Sequence, residues 1–442
     1  MASSVFIANC GHGGATALNV LSAALGEDLC TADTDVVFVD SSAELVPAIR
    51  RVSAGGAPAV VGWSFCSQDF ECAAIELQVA REEQGEATVW HVAGGPHASA
   101  DPDGTLRAGF DLCAIGEGEA ILVELIAALQ EGRDPKRVPG IASLNAGRVV
   151  TCAPPPARPL DELPAFNARC GRINPLEITR GCAYRCAFCQ TPRLFPGRPR
   201  HRSVDNVRRN VAELRKMGVR YVRFVTPNAL GYGTSGRACD LGALEELLAA
   251  VREASGPHTK IYLGTFPSEV RPDQVSSEAL ALLRRTVANR DLAIGVQSGS
   301  QRVLDRMRRG YSVEQARRAV ECAIAAGFRP QVDLIFGYPG ETPSERAETV
   351  ALAEELGVLG VHIRGHSFMP LPGTELADAV AEPMDAGCAA RLAQLESVGV
   401  LHGPWRRQGQ GGKGLACEQV AAGCALDARA PEAGCGTASI VE

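Results

Sequence analysis

Three cysteines, Cys182, Cys186 and Cys189, fall on one short stretch with C-x3-C-x2-C spacing. The chain has 16 cysteines in 442 residues, and random placement of that many gives roughly 0.02 such spacings. Chance does not explain them. Three thiolates on one loop can hold three irons of a [4Fe–4S] cluster, which ordinarily takes four cysteine ligands. The fourth iron would then be open to an outside ligand. Zinc or simple burial are the competing readings. Structural zinc wants four ligands, usually from paired C-x2-C units, and the nearest further candidate is His201.

Other residues carry weaker chemistry. Gly94-Gly95 closes an apolar run, where backbone without a Cβ can approach a flat ligand, and Ser64 closes a neighbouring run. A tight turn without ligand is the alternative. Arg193, Arg198, Arg200, Arg202, Arg208 and Arg209 form a basic stretch just after the triad. It reads as a solvated face, or as a dock for an anionic substrate or an acidic flavodoxin- or ferredoxin-type reductant. Cys417, Cys424 and Cys435 have C-x6-C-x10-C spacing, which matches no tight metal template, and read as tail thiols or an auxiliary cluster. Cys66, Cys113 and Cys322 sit in apolar segments and read as core.

The elements that must position these residues come in two series. From Ser4 to about Arg133, strands (Val5–Ala8, Asp35–Val39, Ala59–Phe65, Ala87–Ala93, Asp111–Ile115) alternate with helices (Leu18–Leu25, Ala43–Val52, Phe70–Glu83, Ala120–Leu129). That alternation predicts an α/β fold with a doubly wound parallel sheet. Gly140–Thr151 predicts a hairpin turning at Asn145-Ala146-Gly147, and Pro154-Pro155-Pro156 a linker. A second series has strands Leu176–Thr179, Tyr221–Val225, Ile261–Phe266, Leu292–Gln297, Val332–Phe336 and Val361–His366. Its helices include Ser203–Met217, Val313–Ala326 and Glu345–Leu356. Six strands predict a partial (β/α)6 barrel with its chemistry at the C-terminal strand ends. The expected segments are 1–150, a linker at 151–172, the barrel at 173–385, and a C-terminal helix with a loosely ordered tail at 386–442.

Composition narrows the class. Hydrophobic residues at 46% and charged residues at 21% fit a globular protein. Lys+Arg 44 against Asp+Glu 51 gives a net charge of -7, which argues against a general nucleic-acid or anionic-membrane binder. The opening Met1–Gly26 lacks the basic n-region of a signal peptide, and no run of 18 or more apolar residues occurs. A cytoplasmic setting without a transmembrane segment is expected.

The triad, with Phe188 before its last cysteine, resembles the radical S-adenosylmethionine (SAM) superfamily. In that family the open iron is chelated by the amino and carboxylate groups of SAM, and one electron cleaves SAM to a 5′-deoxyadenosyl radical. Three more segments carry the resemblance. Gly295-Val-Gln297-Ser298-Gly-Ser300 resembles the fourth-strand segment, implying SAM ribose contacts from Gln297 and Ser298. Asp333-Leu-Ile335-Phe-Gly337 resembles the fifth-strand segment, implying adenine contacts from Ile335 and Gly337, and His366–Thr374 resembles the end of the sixth strand. The chain departs from the family in having Gln297 where Glu is common, and Thr226-Pro227-Asn228 where Gly-Gly-Glu commonly receives the SAM amino group. Asn228 is the residue so implied.

Residues 1–150 resemble the B12-binding-like domain that precedes this barrel in a large subfamily, through Val61–Phe65, Ala93–Ala98 and Ile115–Glu119. Thr226–Gly233 is similar to a Thr-Pro-Asn-Ala-x-Gly-Tyr-Gly segment in uncharacterised members. The resemblance implies cobalamin contacts from Ser64, Gly94 and Gly95. Cys10-Gly-His12-Gly-Gly-Ala15 is an incomplete form of the D-x-H-x-x-G motif of histidine-on cobalamin proteins. It lacks the orienting Asp, so His12 is expected in an exposed loop rather than on cobalt. His97 is expected in a turn. The activity implied is cobalamin-dependent C-methylation, with rearrangement, ring closure or ring contraction as the alternative. A non-catalytic cobalamin- or iron-sensing regulator is the rival class. The sequence leaves the substrate unknown.

Overall fold

The computed structural model describes residues 4–54, 58–84 and 88–408. In the first half, β1 (Val5–Asn9), α1 (Ala15–Glu27), β2 (Asp35–Val39), α2 (Ser42–Ala54), β3 (Ala59–Ser64) and α3 (Phe70–Glu83) alternate as expected. Next come β4 (Val89–Gly94), two short helices α4 (Gly95–Ala100) and α5 (Pro102–Arg107), β5 (Leu112–Ala114) and α6 (Gly118–Gln130). The hairpin is β6 (Ile141–Asn145) and β7 (Arg148–Thr151). Strand order is β2-β1-β3-β4-β5-β6-β7, with the first five strands parallel and the hairpin antiparallel at one edge.

Every residue of β1 and β3 is buried because helices cover both faces. Leu45, Ile49, Ala73 and Leu77 of α2 and α3 pack on one side, and Leu18, Leu25, Ile121 and Leu125 of α1 and α6 on the other. Strands enclosed this way read as continuous apolar runs. The order reverses between β1 and β3, so the ligand crevice of such a sheet falls at their C-terminal ends. Ala146 and Gly147 both have positive φ, 48° and 77°, as a type I′ hairpin turn requires.

The second half is β8 (Leu176–Glu177), β9 (Thr179–Arg180), α7 (Thr191–Leu194), β10 (Arg200–His201), α8 (Val204–Lys216), β11 (Tyr221–Val225), α9 (Leu241–Ser255), β12 (Lys260–Tyr262) and α10 (Ser277–Thr286). It continues through β13 (Asp291–Gln297), α11 (Gln301–Arg306), α12 (Val313–Ala325), β14 (Arg329–Phe336), α13 (Pro343–Val358), β15 (His362–Ser367), α14 (Ala386–Ser397) and β16 (Leu401–His402). Strands β8, β11 and β12 run parallel, as do β13 to β16. An isolated parallel bridge between Val270 and Ile294 joins the two sets. The helices start where the caps say they should. Ser203 accepts from the Asn206 N–H at 3.1 Å, and Ser312 and Thr342 head full capping boxes.

Four expectations change. The short strand β16 adds a seventh parallel strand beside β15. The double glycine ends β4 and opens helix α4 instead of making a plain turn. Cys66 and Cys322 are exposed and only Cys113 is core. Arg202 leaves the solvated face expected of the basic stretch: it is 1% exposed and donates to the carbonyls of Leu160, Leu163, Pro164 and Glu177, while Arg193, Arg198, Arg208 and Arg209 are exposed as expected. Cys417, Cys424 and Cys435 and the tail lie outside the described residues. Among the described residues no helix is long and apolar enough to cross a membrane.

Candidate metal and cofactor site

The triad occupies the loop between β9 and α7. Gly181, at φ 89°, turns the chain into it, and Cys186 is buried while Cys182 and Cys189 are half-buried. Two ties fix its shape: the Ala187 N–H donates to Met307 O at 3.1 Å, and Gln190 Nε2 to Pro372 O at 2.9 Å. Burial pushes the Cys182 and Cys189 thiols up, so an iron ligand here must shed a proton on binding. Among the described residues no three His, Cys, Asp or Glu side chains converge on a point for one ion. A cube of iron and sulfide asks for something else, a separate thiolate at each of three corners.

A cavity of about 260 Å³ opens at the C-terminal ends of the barrel strands. Phe188, Gln297 and Ile335 line it, together with Glu269, Asp333 and His366, which sequence reasoning did not assign. Gln297 sits at φ 76° beside a register shift in β13. A non-glycine residue held in that region is strained, and such strain gathers at functional sites.

Arg364 ties the polar floor together. Its Nε donates to Asp333 Oδ1 at 2.6 Å and its Nη2 to Glu269 Oε1 at 3.2 Å, while the guanidinium stacks 3.8 Å from the Phe266 ring. The Glu269 carboxyl is pushed up to about 8, first by desolvation and then by the neighbouring Asp333 charge. Burial alone would also raise Asp333, but hydrogen bonds from His366 and Arg364 outweigh it and hold that carboxyl below the ordinary range. One carboxyl of the pair carries the proton more readily than the other.

The remaining candidates do not line the cavity. Ser298 is wholly buried, its hydroxyl 2.9 Å from Thr349 Oγ1 and accepting from the Ser300 N–H, where it shapes the start of α11. Gly337, at φ 72°, packs so that a Cβ would lie 2.7 Å from Glu382 O. Asn228 is buried after β11, with its Oδ1 unpartnered among the described residues.

In the first sheet, Ser64 and Gly94 pair across β3 and β4, bringing the three expected cobalamin contacts together at the crevice. Gly95, at φ 86°, would put a Cβ 3.0 Å from Ser64 Oγ, and Gly14 one 2.2 Å from Ser64 O. Both glycines therefore allow backbone to close on backbone. His12 is a correction: it is 8% exposed, not an open loop residue. Its ring bonds the Glu76 carboxylate on α3 and lies parallel to Trp63 at 6.0 Å. The orienting carboxylate, absent from its own loop, comes from another helix. His97 is helical rather than in a turn, stacked on Phe70 at 4.2 Å and bonded through Nδ1 to Ser67 Oγ at 3.0 Å. Its Nε2 is buried and unpartnered among the described residues, as is Glu76 Oε1. Orphaned polar atoms and glycine-floored backbone are compatible with a large polar-rimmed ligand.

The two halves meet at Arg180. Its guanidinium bonds Glu117 and Glu119 from the first half, both at 2.7 Å, and Glu177 at 2.8 Å. Arg200 adds a second bond to Glu117. Ala100, at the end of α4, lies against Gly373 beyond β15.

Residues 176–353 match the Radical SAM superfamily. The tRNA-2-methylthio-N(6)-dimethylallyladenosine synthases of Leptothrix cholodnii and Bordetella petrii are 31% and 32% identical over 226 and 228 residues. Those matches cover 50% of this chain and 47% and 46% of theirs, so the chain spans about half the length of these curated relatives. Among solved structures, the radical SAM methyltransferase TsrM from Kitasatospora setae, with cobalamin and a [4Fe-4S] cluster bound, superposes with TM-score 0.66 at 19% identity. It covers 85% of this chain and 74% of its own. The cobalamin-dependent SAM radical enzyme OxsB gives TM-score 0.61 at 19% identity, over 80% and 52%. These likenesses show the fold, an α/β sheet domain followed by an open barrel. The superfamily match brings a [4Fe–4S] cluster and SAM with it, and the thiol loop and adjoining cavity fit that pair. Residues 176–353 of this chain are a radical SAM domain.

Proposed function

We propose that this chain is a cobalamin-dependent radical SAM methyltransferase acting on an unactivated carbon. The observation that carries the reading is the placement of α4. It leaves the crevice of the first sheet and reaches the barrel's strand ends, where Ala100 meets Gly373 and α7 follows the cysteine loop. Cys182, Cys186 and Cys189 would hold the cluster. Gln297, Phe188 and Ile335 would hold SAM, with Asn228, Ser298 and Gly337 shaping its surroundings. Ser64, Gly94 and Gly95 would meet cobalamin in a domain spanning about residues 1–150.

When bound, the cluster supplies one electron to SAM and cobalamin supplies the methyl group, chemistry that side chains lack. The chain's own contribution is orientation and exclusion of water. Phe188, Phe266 and Ile335 wall the cavity, while the Glu269–Asp333 pair can hold or accept a proton at its floor. A tRNA substrate fits less well. The net charge is -7, Arg193 pairs with Glu375, and Arg200 and Arg202 bond Glu117 and backbone carbonyls, so these three of the six arginines after the triad are already partnered within the chain.

The test is anaerobic reconstitution with iron, sulfide, SAM and dithionite, reading 5′-deoxyadenosine and the visible spectrum of bound cobalamin. Formation of 5′-deoxyadenosine together with stoichiometric cobalamin is expected. Absence of 5′-deoxyadenosine overturns the radical reading and favours a regulator. Its formation without cobalamin uptake overturns only the methyltransferase reading, in favour of rearrangement chemistry.

A further inference from the structure

Arg309 is 8% exposed, and all three of its guanidinium nitrogens are committed. Nε donates to Tyr311 Oη at 2.8 Å, Nη2 to Gly295 O at 2.7 Å, and Nη1 to Cys186 Sγ at 3.2 Å. Tyr311 itself donates to the carbonyls of Gly295 and Val296, and Arg271 donates to Arg309 O. No carboxylate forms an ion pair with this guanidinium among the described residues. Glu269, the carboxylate whose charge it influences, is bonded to Arg364 instead, and Asp273 pairs with Arg271. An arginine stays protonated in a protein, and a buried charge without a counter-charge is costly. The one neighbour able to become an anion against Nη1 is the Cys186 sulfur.

We propose that Arg309 is the built-in counter-ion of the iron–sulfur cluster and sets its reduction potential through the N–H···S bond to Cys186. The inference rests on the reading that the triad holds such a cluster. Hydrogen bonds to cluster sulfurs and nearby charge are among the protein's controls on potential. Reduction adds one electron to the cluster and makes or breaks no bond, so a cation at this distance stabilises the reduced form and raises the midpoint. Arg309 is a positioning residue, since it acts through the thiolate and does not line the cavity. Its geometry also explains why the position wants arginine: the planar fork reaches a tyrosine hydroxyl, a strand carbonyl and a sulfur at once.

The experiment is a dithionite titration of the anaerobically reconstituted full chain, followed by electron paramagnetic resonance without SAM, with iron counted in every sample. The comparison is wild type, Arg309→Lys and Arg309→Gln. At matched iron content, R309Q is expected to show at least a tenfold fall in the reduced-to-oxidised ratio at fixed potential, a midpoint lower by about 59 mV for one electron. R309K should fall between R309Q and wild type. If R309Q loses iron while R309K keeps it near the wild-type midpoint, charge compensation is also supported. Unchanged midpoints in both variants overturn the proposal. So does R309K matching R309Q, or loss of iron from both, since shape and not charge would then be the requirement. Wild-type protein without iron would instead sink the cluster reading itself.

Discussion

Glu76, on α3, bonds the ring of His12 in the loop after β1, and both are buried. Asn9 Nδ2 also reaches the same carboxylate oxygen at 3.4 Å. The pair pins the β1 loop over the crevice. Replacing Glu76 with Ala leaves buried donors unmet, at a cost of about 1–3 kcal/mol. Chemical denaturation of E76A should show that loss, and a change below roughly 0.5 kcal/mol, as for an ordinary surface site, would contradict the pinning.

Gly94 and Gly14 should respond differently. Gly94 is extended, at φ -144°, and a Cβ there meets nothing closer than 3.8 Å. G94A should therefore fold with stability close to wild type. Under the proposed function its methyl group faces the cofactor, and cobalamin uptake should weaken about tenfold, or roughly 1.4 kcal/mol. Equilibrium dialysis measures it, and undiminished uptake would remove Gly94 from the site. G14A, with its Cβ 2.2 Å from Ser64 O, should instead lower the melting temperature.

Gln297 and Ser298, adjacent in sequence, should separate binding from folding. Q297A removes a strained cavity wall and should weaken SAM binding with little loss of stability. S298A removes the hydroxyl between Thr349 and the Ser300 N–H and should cost about 1–2 kcal/mol while leaving SAM affinity near wild type. Calorimetry of SAM binding beside thermal melts decides it; the reverse pattern would reassign the pair.

Glu269 gives a pH signature. Its carboxyl is raised from 4.5 to about 8 by desolvation and by Asp333. A raised carboxyl favours the folded state fully below about 4.5 and loses that advantage as pH climbs towards about 8. Asp333, His366 and Arg364 face it from β14 and β15, Arg309 from the loop after α11. Because its side chain is still 32% exposed, solvent screening reduces the effect. Melting temperature should decline across that window more steeply for wild type than for E269Q. Parallel curves would show that Glu269 titrates normally.

Much of this architecture was legible locally. The triad spacing, the buried runs of β1 and β3, and the Ser203, Ser312 and Thr342 caps are short-range patterns, set by ligand count, burial on both faces and helix-end hydrogen bonding. The misses share a different cause. Glu76 acquires its role from His12, 64 positions away, and Arg309 from Cys186, 123 positions away. Neither belongs to a periodic or spaced pattern, so only folding reveals them. Helix α4 escaped because Gly94-Gly95-Pro96 carries turn chemistry, although proline is well suited to a first helical turn. Strand β16 is two residues long, too short for alternation to register.

The bridge at Arg180 has a consequence for dissection of the chain. Arg180 stands two positions before Cys182, and two of its three carboxylate partners, Glu117 and Glu119, come from the opposite half. Cutting at the proline linker would take two of three carboxylates away from the cation at the root of the thiol loop, leaving it Glu177 alone. An isolated barrel fragment should take up less iron than the intact polypeptide, so the halves are better regarded as one folding unit than as interchangeable modules.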